Sequence, residues 1–363
     1  MIYLAGFILA FAFIRLLVSL VNNLTETHLP CSEKIPDKKV SVLIPARNEE
    51  ANIGHILEDL KNQSYKNIEV IVFNDQSEDR TGYVVAEYTK SDNRFRLINS
   101  DCLPDGWYGK NYACHSLAEA ATGEYFLFLD ADVRAGKSLI SDSINMAEEN
   151  KTGLFSIFPG QKIISFGEAV TVPNMNFILL SLLPLILVRK SAYPSLSAAN
   201  GQFMLFEAKT YKETMPHEKM RMEKVEDIEI ARFFKRKSIP VACLLGDERI
   251  ECRMYRGFSD SVNGFSKNVV SFFGNSFLLA VMFWIVTTFG FLFVLNYMPL
   301  SVFIFYITVE LLIRILISVA SRQSAIKNIL CSVPLQLSLG LFIYKAFKNK
   351  YFGNYEWKGR KIN

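Results

Sequence analysis

The sequence predicts an α/β fold, a mostly parallel sheet flanked by helices, with N-terminal and C-terminal transmembrane helices. Three observations carry this expectation. Short apolar runs alternate with helical stretches from Lys39 to about Phe158, the pattern of strands joined by crossover helices. The residues after these runs are polar and acidic each time. Long apolar stretches crowd into Ile2 to Val21 and Phe277 to Ala346, while the middle has ordinary globular composition.

The elements can be justified in order. Residues 1–22 carry no basic leader, Arg15 is their only early charge, and no small-x-small cleavage site follows, so an uncleaved membrane anchor is expected. Lys34, Lys38 and Lys39 follow it and place the next domain, 38–265, on the cytoplasmic side of the cell membrane. There "VSVLI" (Val40 to Ile44) reads as a buried strand, Ala51 to Asn62 as a helix and "IEVIVFN" (Ile68 to Asn74) as a second strand. Ser77 or Asp79 suits the N-cap of a helix containing Val84 and Val85. "FRLI" is a short strand, and a helix from Asn111 to Ala121 leads into "YFLFLDADV" (Tyr125 to Val133).

Toward the C-terminus, Phe277 to Leu295 and Leu300 to Ala320 are long enough to form an antiparallel pair of spans, within a membrane region placed at 275–346. Glu310 and Arg314, one helical turn apart, are expected to pair with each other. Ile329 to Tyr344 is short and holds Pro334 and Gln336, so a re-entrant or interfacial element is expected, leaving the basic tail 347–363 in the cytoplasm. A further apolar run, Phe177 to Val188, is too short to span. An interfacial helix and a buried core helix both fit it.

Composition excludes several classes. The net charge is only +4 and no cluster of Lys and Arg with interleaved aromatics occurs, so no nucleic-acid partner is expected. The six cysteines show no C-x-x-C, and neither a zinc site nor a disulfide framework is indicated. No G-x-G-x-x-G and no G-x-x-x-x-G-K-[ST] is present.

Ligands of parallel sheets sit beyond the carboxyl ends of the strands. "PARNEE" (Pro45 to Glu50), "DQSED" (Asp75 to Asp79) and "DAD" (Asp130 to Asp132) would gather at that edge. In an extended chain Asp130 and Asp132 project to one side, and their like charges then call for a cation. Mg²⁺ typically takes one or two carboxylates and completes its shell with phosphate oxygens and water, so a phosphate-bearing ligand is the natural companion.

Together "VLIPARNEEANI", "VIVFNDQSEDRT", "FLFLDADV" and "VEDIEIARFFK" resemble the family 2 inverting glycosyltransferases of the GT-A fold, over roughly Val40 to Lys237. "DGWYGKNYAC", "CRMYRGF" and "EWKGR" are similar to membrane-bound members, among them the carotenoid-modifying 4,4'-diaponeurosporenoate glycosyltransferases. The resemblance implies a nucleotide-sugar half at 38–160 and an acceptor half at 161–265. It places Pro45, Ala46, Glu49 and Asp75 around the nucleoside, with Lys110 and Arg256 at the phosphates. It assigns Asp130 and Asp132 to Mg²⁺ or Mn²⁺, with Asp130 also near the nucleotide-sugar. Asp227 is then the catalytic base, with Glu226 the alternative. Helix-terminal charge stabilisation is a second role open to Glu49 and to the Glu226–Asp227 pair.

The implied donor is a nucleotide-diphosphate sugar, a UDP-sugar foremost. Processive relatives carry Q-x-x-R-W, whereas "RMYRG" has Arg253 for the glutamine and Gly257 for the tryptophan. A single transfer to a hydroxyl or carboxyl of an amphiphilic, lipid or carotenoid-like acceptor is therefore expected. The alternatives are a polysaccharide or lipid-linked glycan synthase and an inactive membrane scaffold. A nucleotidylyltransferase would need a glycine-rich basic loop that "PARNEE" does not supply.

Overall fold

The computed structural model describes residues 1–352, 356–357 and 360–361. The chain forms two compact units, each made of separated stretches. One holds Met1–Thr27, Gln161–Ile186 and Arg253–Asn363, and the other holds His28–Gly160 and Leu187–Cys252. The continuous domain expected at 38–265 is thus interrupted, because 161–186 and 253–265 group with the apolar helices.

In the helical unit, α1 (Ile2–Leu24) and the helices Phe277–Tyr297 and Leu300–Ala320 are long and apolar enough to cross a membrane. Glu310 does not pair with Arg314 as the sequence suggested. It accepts from Arg15 Nη1 of α1 at 2.9 Å, which takes a charge off each of two apolar helices at once. The run Ile329 to Tyr344, expected as a re-entrant or interfacial element, starts in the last residues of the helix Ala325–Leu330, turns at Cys331 and continues into the helix Ser332–Phe352. Pro334 lies in its first turn, where its missing N–H forfeits no helical bond. The basic tail is described only to Phe352 and as two short paired strands, Glu356–Trp357 and Arg360–Lys361. Lys358 and Gly359 lie outside the described residues.

The run Phe177 to Val188 is buried from Phe177 to Ser181 and half-buried over most of the remainder. It is split into helices Pro173–Leu182 and Leu185–Lys190, and Phe177 to Leu180 are all buried. Pro184 forces the break, and Asn22 of α1 repairs its backbone. The Asn22 amide donates to Leu180 O at 3.0 Å and Leu183 O at 2.9 Å, and accepts from Leu185 N–H at 2.8 Å. Buried backbone groups freed by a proline need such partners. Arg253 and Gly257 N–H both donate to the fully buried Glu168, at 2.8 Å and 3.0 Å. Burial raises the Glu168 pKa, but Arg253 and the N–H groups of Ile164 and Ser165 outweigh it and hold it at about 2.

The other unit is built on β1 (Val40–Ala46), β2 (Ile68–Asn74), β3 (Phe95–Asn99), β4 (Tyr125–Leu129), β6 (Leu154–Phe158), β8 (Phe203–Glu207) and β9 (Val241–Leu245). They form one sheet in the order β3-β2-β1-β4-β8-β6-β9. All run the same way except β8, which is antiparallel to both β4 and β6. The short strand β5 (Val133–Ala135) leaves this sheet to pair with β10 (Ile250–Cys252), and β7 (Gly160–Gln161) lies between them in sequence. Helices α2 (Ile53–Lys61), α3 (Thr81–Ser91), α4 (Gly109–Ala120) and α5 (Leu139–Glu149) connect the strands.

Cover on both faces explains why the strands are unbroken apolar runs. Helix α2 shows how the cover is made, since Ile53, Ile56, Leu57 and Leu60 follow helical spacing and all are fully buried in the core. Each such side chain contributes about 1.5–3 kcal/mol. Truncating Leu57 to alanine would cost about 2–5 kcal/mol. Pro45 is tolerated near the centre of the sheet because the β1–β4 pairing ends at Leu43, two residues before a missing N–H could break it.

Candidate active site

The parallel run of β1, β2 and β4 brings their carboxyl ends to one sheet edge, and the reversal of β8 brings Asn200 to Gln202 to the same edge. Pro45 and Ala46 close β1, and Asp75 follows β2 with its N–H donating to Ala46 O at 2.8 Å. Between these loops lies Arg47, which the sequence reading did not single out. Its buried guanidinium donates to Asp75 O at 2.7 Å and Gln76 O at 3.1 Å. Asn48 and Gln76 both take positive φ, 53° and 52°, a region asparagine tolerates better than most residues. Glu49 accepts from Asn52 Nδ2 at 2.8 Å just ahead of α2, where its charge also favours the helix.

Asp130 and Asp132 sit in a turn rather than an extended continuation of β4, for Val133 N–H donates back to Asp130 O at 3.3 Å. The expected reason for their convergence therefore fails, and separate tethers position them. Lys110 Nζ, from the first turn of α4, lies 3.0 Å from Asp130 Oδ1 and 3.4 Å from Glu226 Oε1. Gln202 Nε2 is 3.4 Å from Asp132 Oδ1 and 2.8 Å from Cys252 Sγ. Burial, then the Asp132 carboxylate, keeps the Cys252 thiol well above its ordinary pKa. Burial works against the Lys110 charge, yet Asp130 and Glu226 outweigh it and raise its pKa.

Glu226 and Asp227 open the helix Glu226–Arg236, with Glu229 also in its first turn, so the macrodipole favours all three charges. The two neighbours differ in their partners. Glu226 faces Lys110, whereas Asp227 accepts from Ile228 N–H at 2.7 Å and Gly201 N–H at 2.9 Å. Burial, then the Glu226 charge, pushes Asp227 up to about 7, and the N–H donors and Lys110 offset only part of this.

Gly201 is the second residue that the sequence reading missed. A Cβ there would meet Lys110 Nζ at 2.9 Å and Glu226 Oε1 at 3.2 Å, and its own carbonyl accepts from Lys110 at 3.4 Å. The loop Asn200–Gln202 thereby ties Lys110, Asp132 and Asp227 together. A glycine between two amides ahead of a strand was its only sequence signal.

Lys110, Asp130, Glu226 and Asp227 are thus brought together, with Asp132 tethered by Gln202 and with Pro45, Ala46, Glu49 and Asp75 at the same sheet edge. Arg256 belongs to the helical unit, where it is exposed and its N–H donates to Asp260 Oδ2 at 2.9 Å.

The Glycosyl transferase family 2 model matches residues 41–214, which spans β1 to β8 and all of these residues except Glu226, Asp227 and Arg256. The chain carries a family 2 glycosyltransferase domain. This transferase is 28% identical over 241 residues to a 4,4'-diaponeurosporenoate glycosyltransferase of Staphylococcus haemolyticus, covering 64% of this chain and 61% of that protein. It is 27% identical over 353 residues to the protein of that name from Staphylococcus aureus (strain USA300), covering 90% of this chain and 88% of that one. Among solved structures it is similar to the mannosyltransferase PcManGT from Pyrobaculum calidifontis, determined in complex with GDP-Man and Mn2+. That likeness has a TM-score of 0.56 at 14% identity, over 96% of this chain and 99% of that one. The fold is thus that of the GT-A glycosyltransferases, and the enzyme is a glycosyltransferase with three helices able to cross a membrane.

Proposed function

We propose that the enzyme moves one sugar from a nucleotide-diphosphate sugar, a UDP-sugar foremost, to a hydroxyl or carboxyl of an amphiphilic acceptor, with inversion at the anomeric carbon. The observation that carries this reading is the asymmetry of the acid pair. Glu226 is neutralised by Lys110, while Asp227 keeps a pKa near working pH. A general base is most effective with a pKa close to the operating pH. Asp227 accepts the acceptor hydroxyl proton as the new C–O bond forms, and the nucleoside diphosphate departs from the opposite face of the sugar. Lys110, reaching from Asp130, meets the charge that develops on the departing phosphate.

Asp130 and Asp132 fit Mg²⁺ or Mn²⁺ by donor chemistry. They supply two hard oxygen ligands, and among the described residues no group of three or more His, Cys, Asp or Glu could cage an ion unaided. A cation of this class, when bound, neutralises the diphosphate while taking its remaining ligands from phosphate and water. Pro45, Ala46, Glu49 and Asp75 border the nucleoside. Arg256 is assigned to the phosphates by family resemblance, since guanidinium binds phosphate bidentately. The lysines that follow α1 support a catalytic domain on the cytoplasmic side. The names of the staphylococcal relatives support a carotenoid-like acceptor, and the absence of Q-x-x-R-W supports a single transfer.

Membranes containing the protein, incubated with a panel of labelled nucleotide-sugars and Mg²⁺ or Mn²⁺, test this. One sugar per extracted lipid, with inverted anomeric configuration, is expected. Retained configuration or an elongating glycan would contradict it.

A further inference from the structure

The helical unit contains a second ion cluster that the transfer chemistry does not use. Arg15 of α1 is 1% exposed and sits among Phe11, Phe177 and Phe283, with its guanidinium carbon 4.8 Å from the Phe177 ring centroid. Arg314 places its own guanidinium 4.8 Å from that same centroid. The two cations are therefore held within twice that distance of each other. Glu310 Oε1 accepts from Arg15 Nη1 at 2.9 Å, the one ion pair of either arginine among the described residues. Arg15 Nε and Nη2 are buried and have no hydrogen-bond partner.

This arrangement is unbalanced. Two guanidiniums face one carboxylate inside helices long enough to cross a bilayer. Charged side chains at such depth are rare and normally pair or line a site. Ring faces compensate part of each charge, but they cannot accept the N–H groups at the edge of the Arg15 fork. A planar or tetrahedral anion can, because guanidinium binds carboxylate and phosphate through parallel N–H donors. Helical rise fixes the depth. Arg15 and Arg314 lie nine and six residues before the last residues of their helices, Leu24 and Ala320, which is about 9–14 Å along the axis. An amphiphile whose head dips below the interface could reach that level, as could one drawn in by the charge.

We propose that Arg15 and Arg314 form a binding site for the acidic head group, carboxylate or phosphate, of a membrane amphiphile, with Glu310 setting its strength by competing for Arg15. This site goes beyond the transfer reaction and is read by binding alone.

The test uses the full chain in a neutral detergent, with labelled oleate as the carboxylate probe and oleyl alcohol as its uncharged counterpart. Saturable oleate binding is expected, with the alcohol at least tenfold weaker. Arg314→Gln, which removes no ion pair, should weaken oleate about tenfold. Glu310→Gln should tighten it, an outcome that a purely structural cluster does not produce. Competition by phosphatidylglycerol but not phosphatidylcholine identifies phosphate as an accepted head group, and its failure to compete marks a carboxylate-selective site. Equal binding of acid and alcohol overturns the proposal, as does unchanged affinity in both variants.

Discussion

The two ion clusters of this protein use similar side chains and balance in opposite directions. At the sheet edge one ammonium, Lys110, faces Asp130 and Glu226, with Asp132 and Asp227 tethered nearby. In the helical unit two guanidiniums share the ring of Phe177, and Glu310 is bonded to one of them, Arg15. The first has surplus negative charge and the second surplus positive charge. A buried surplus is costly unless a ligand of opposite sign offsets it. The contrast teaches that the sign of the surplus, more than the presence of charge, is what each proposal rests on: a cation with a diphosphate for the first cluster, an acidic head group for the second.

The contrast is broken most severely at Asp227. Asp227→Asn should lower turnover about 10²–10⁴-fold while donor affinity, measured by calorimetry, stays unchanged, because Lys110 and Asp130 are untouched. A variant with full activity would move the base elsewhere. A smaller effect is expected at Gly201, where the added Cβ of Gly201→Ala displaces Lys110 Nζ from a distance of 2.9 Å. Turnover should fall about 10–100-fold, while stability to urea changes by under about 1 kcal/mol, because the atom displaced is the tip of a flexible side chain.

The pH dependence sharpens the comparison further. Asp227 must be ionised to accept a proton, so kcat/KM should fall as pH drops through about 7. Stability runs the other way. A carboxyl whose folded pKa is raised favours the folded state when protonated, and that contribution is lost as pH rises through its folded value. Asp227→Asn should accordingly melt higher than the parent at pH 8, with the gap closing as pH approaches 4. Melting curves at the two pH values check the sign.

Much of this was legible in the sequence, and the reasons are local. "IEVIVFN" and "YFLFL" coincide with β2 and β4 because strands buried on both faces must be apolar throughout. The acidic loops follow from strand direction alone. Other features depend on contacts between distant segments, which no local pattern records. Gly201 earns its place only beside Lys110 and Glu226. Arg47 matters because it reaches the carbonyls of the next strand's loop. The pairing of Glu310 with Arg15 instead of Arg314 depends on which helix packs beside it. The aspartate pair was found for a reason that the turn at Asp130 replaces, as side-chain tethers do what an extended backbone was expected to do.

The central claim is that surplus carboxylate at the sheet edge binds a divalent cation together with the donor. Calorimetric titration of the full chain with a panel of nucleotide-diphosphate sugars, with and without Mn²⁺, tests it most directly, alongside Asp132→Asn. Binding that needs Mn²⁺ in the parent and is largely lost in the variant is the predicted result. Equal affinity with and without metal, or an Asp132→Asn protein that binds the donor like the parent, would contradict it.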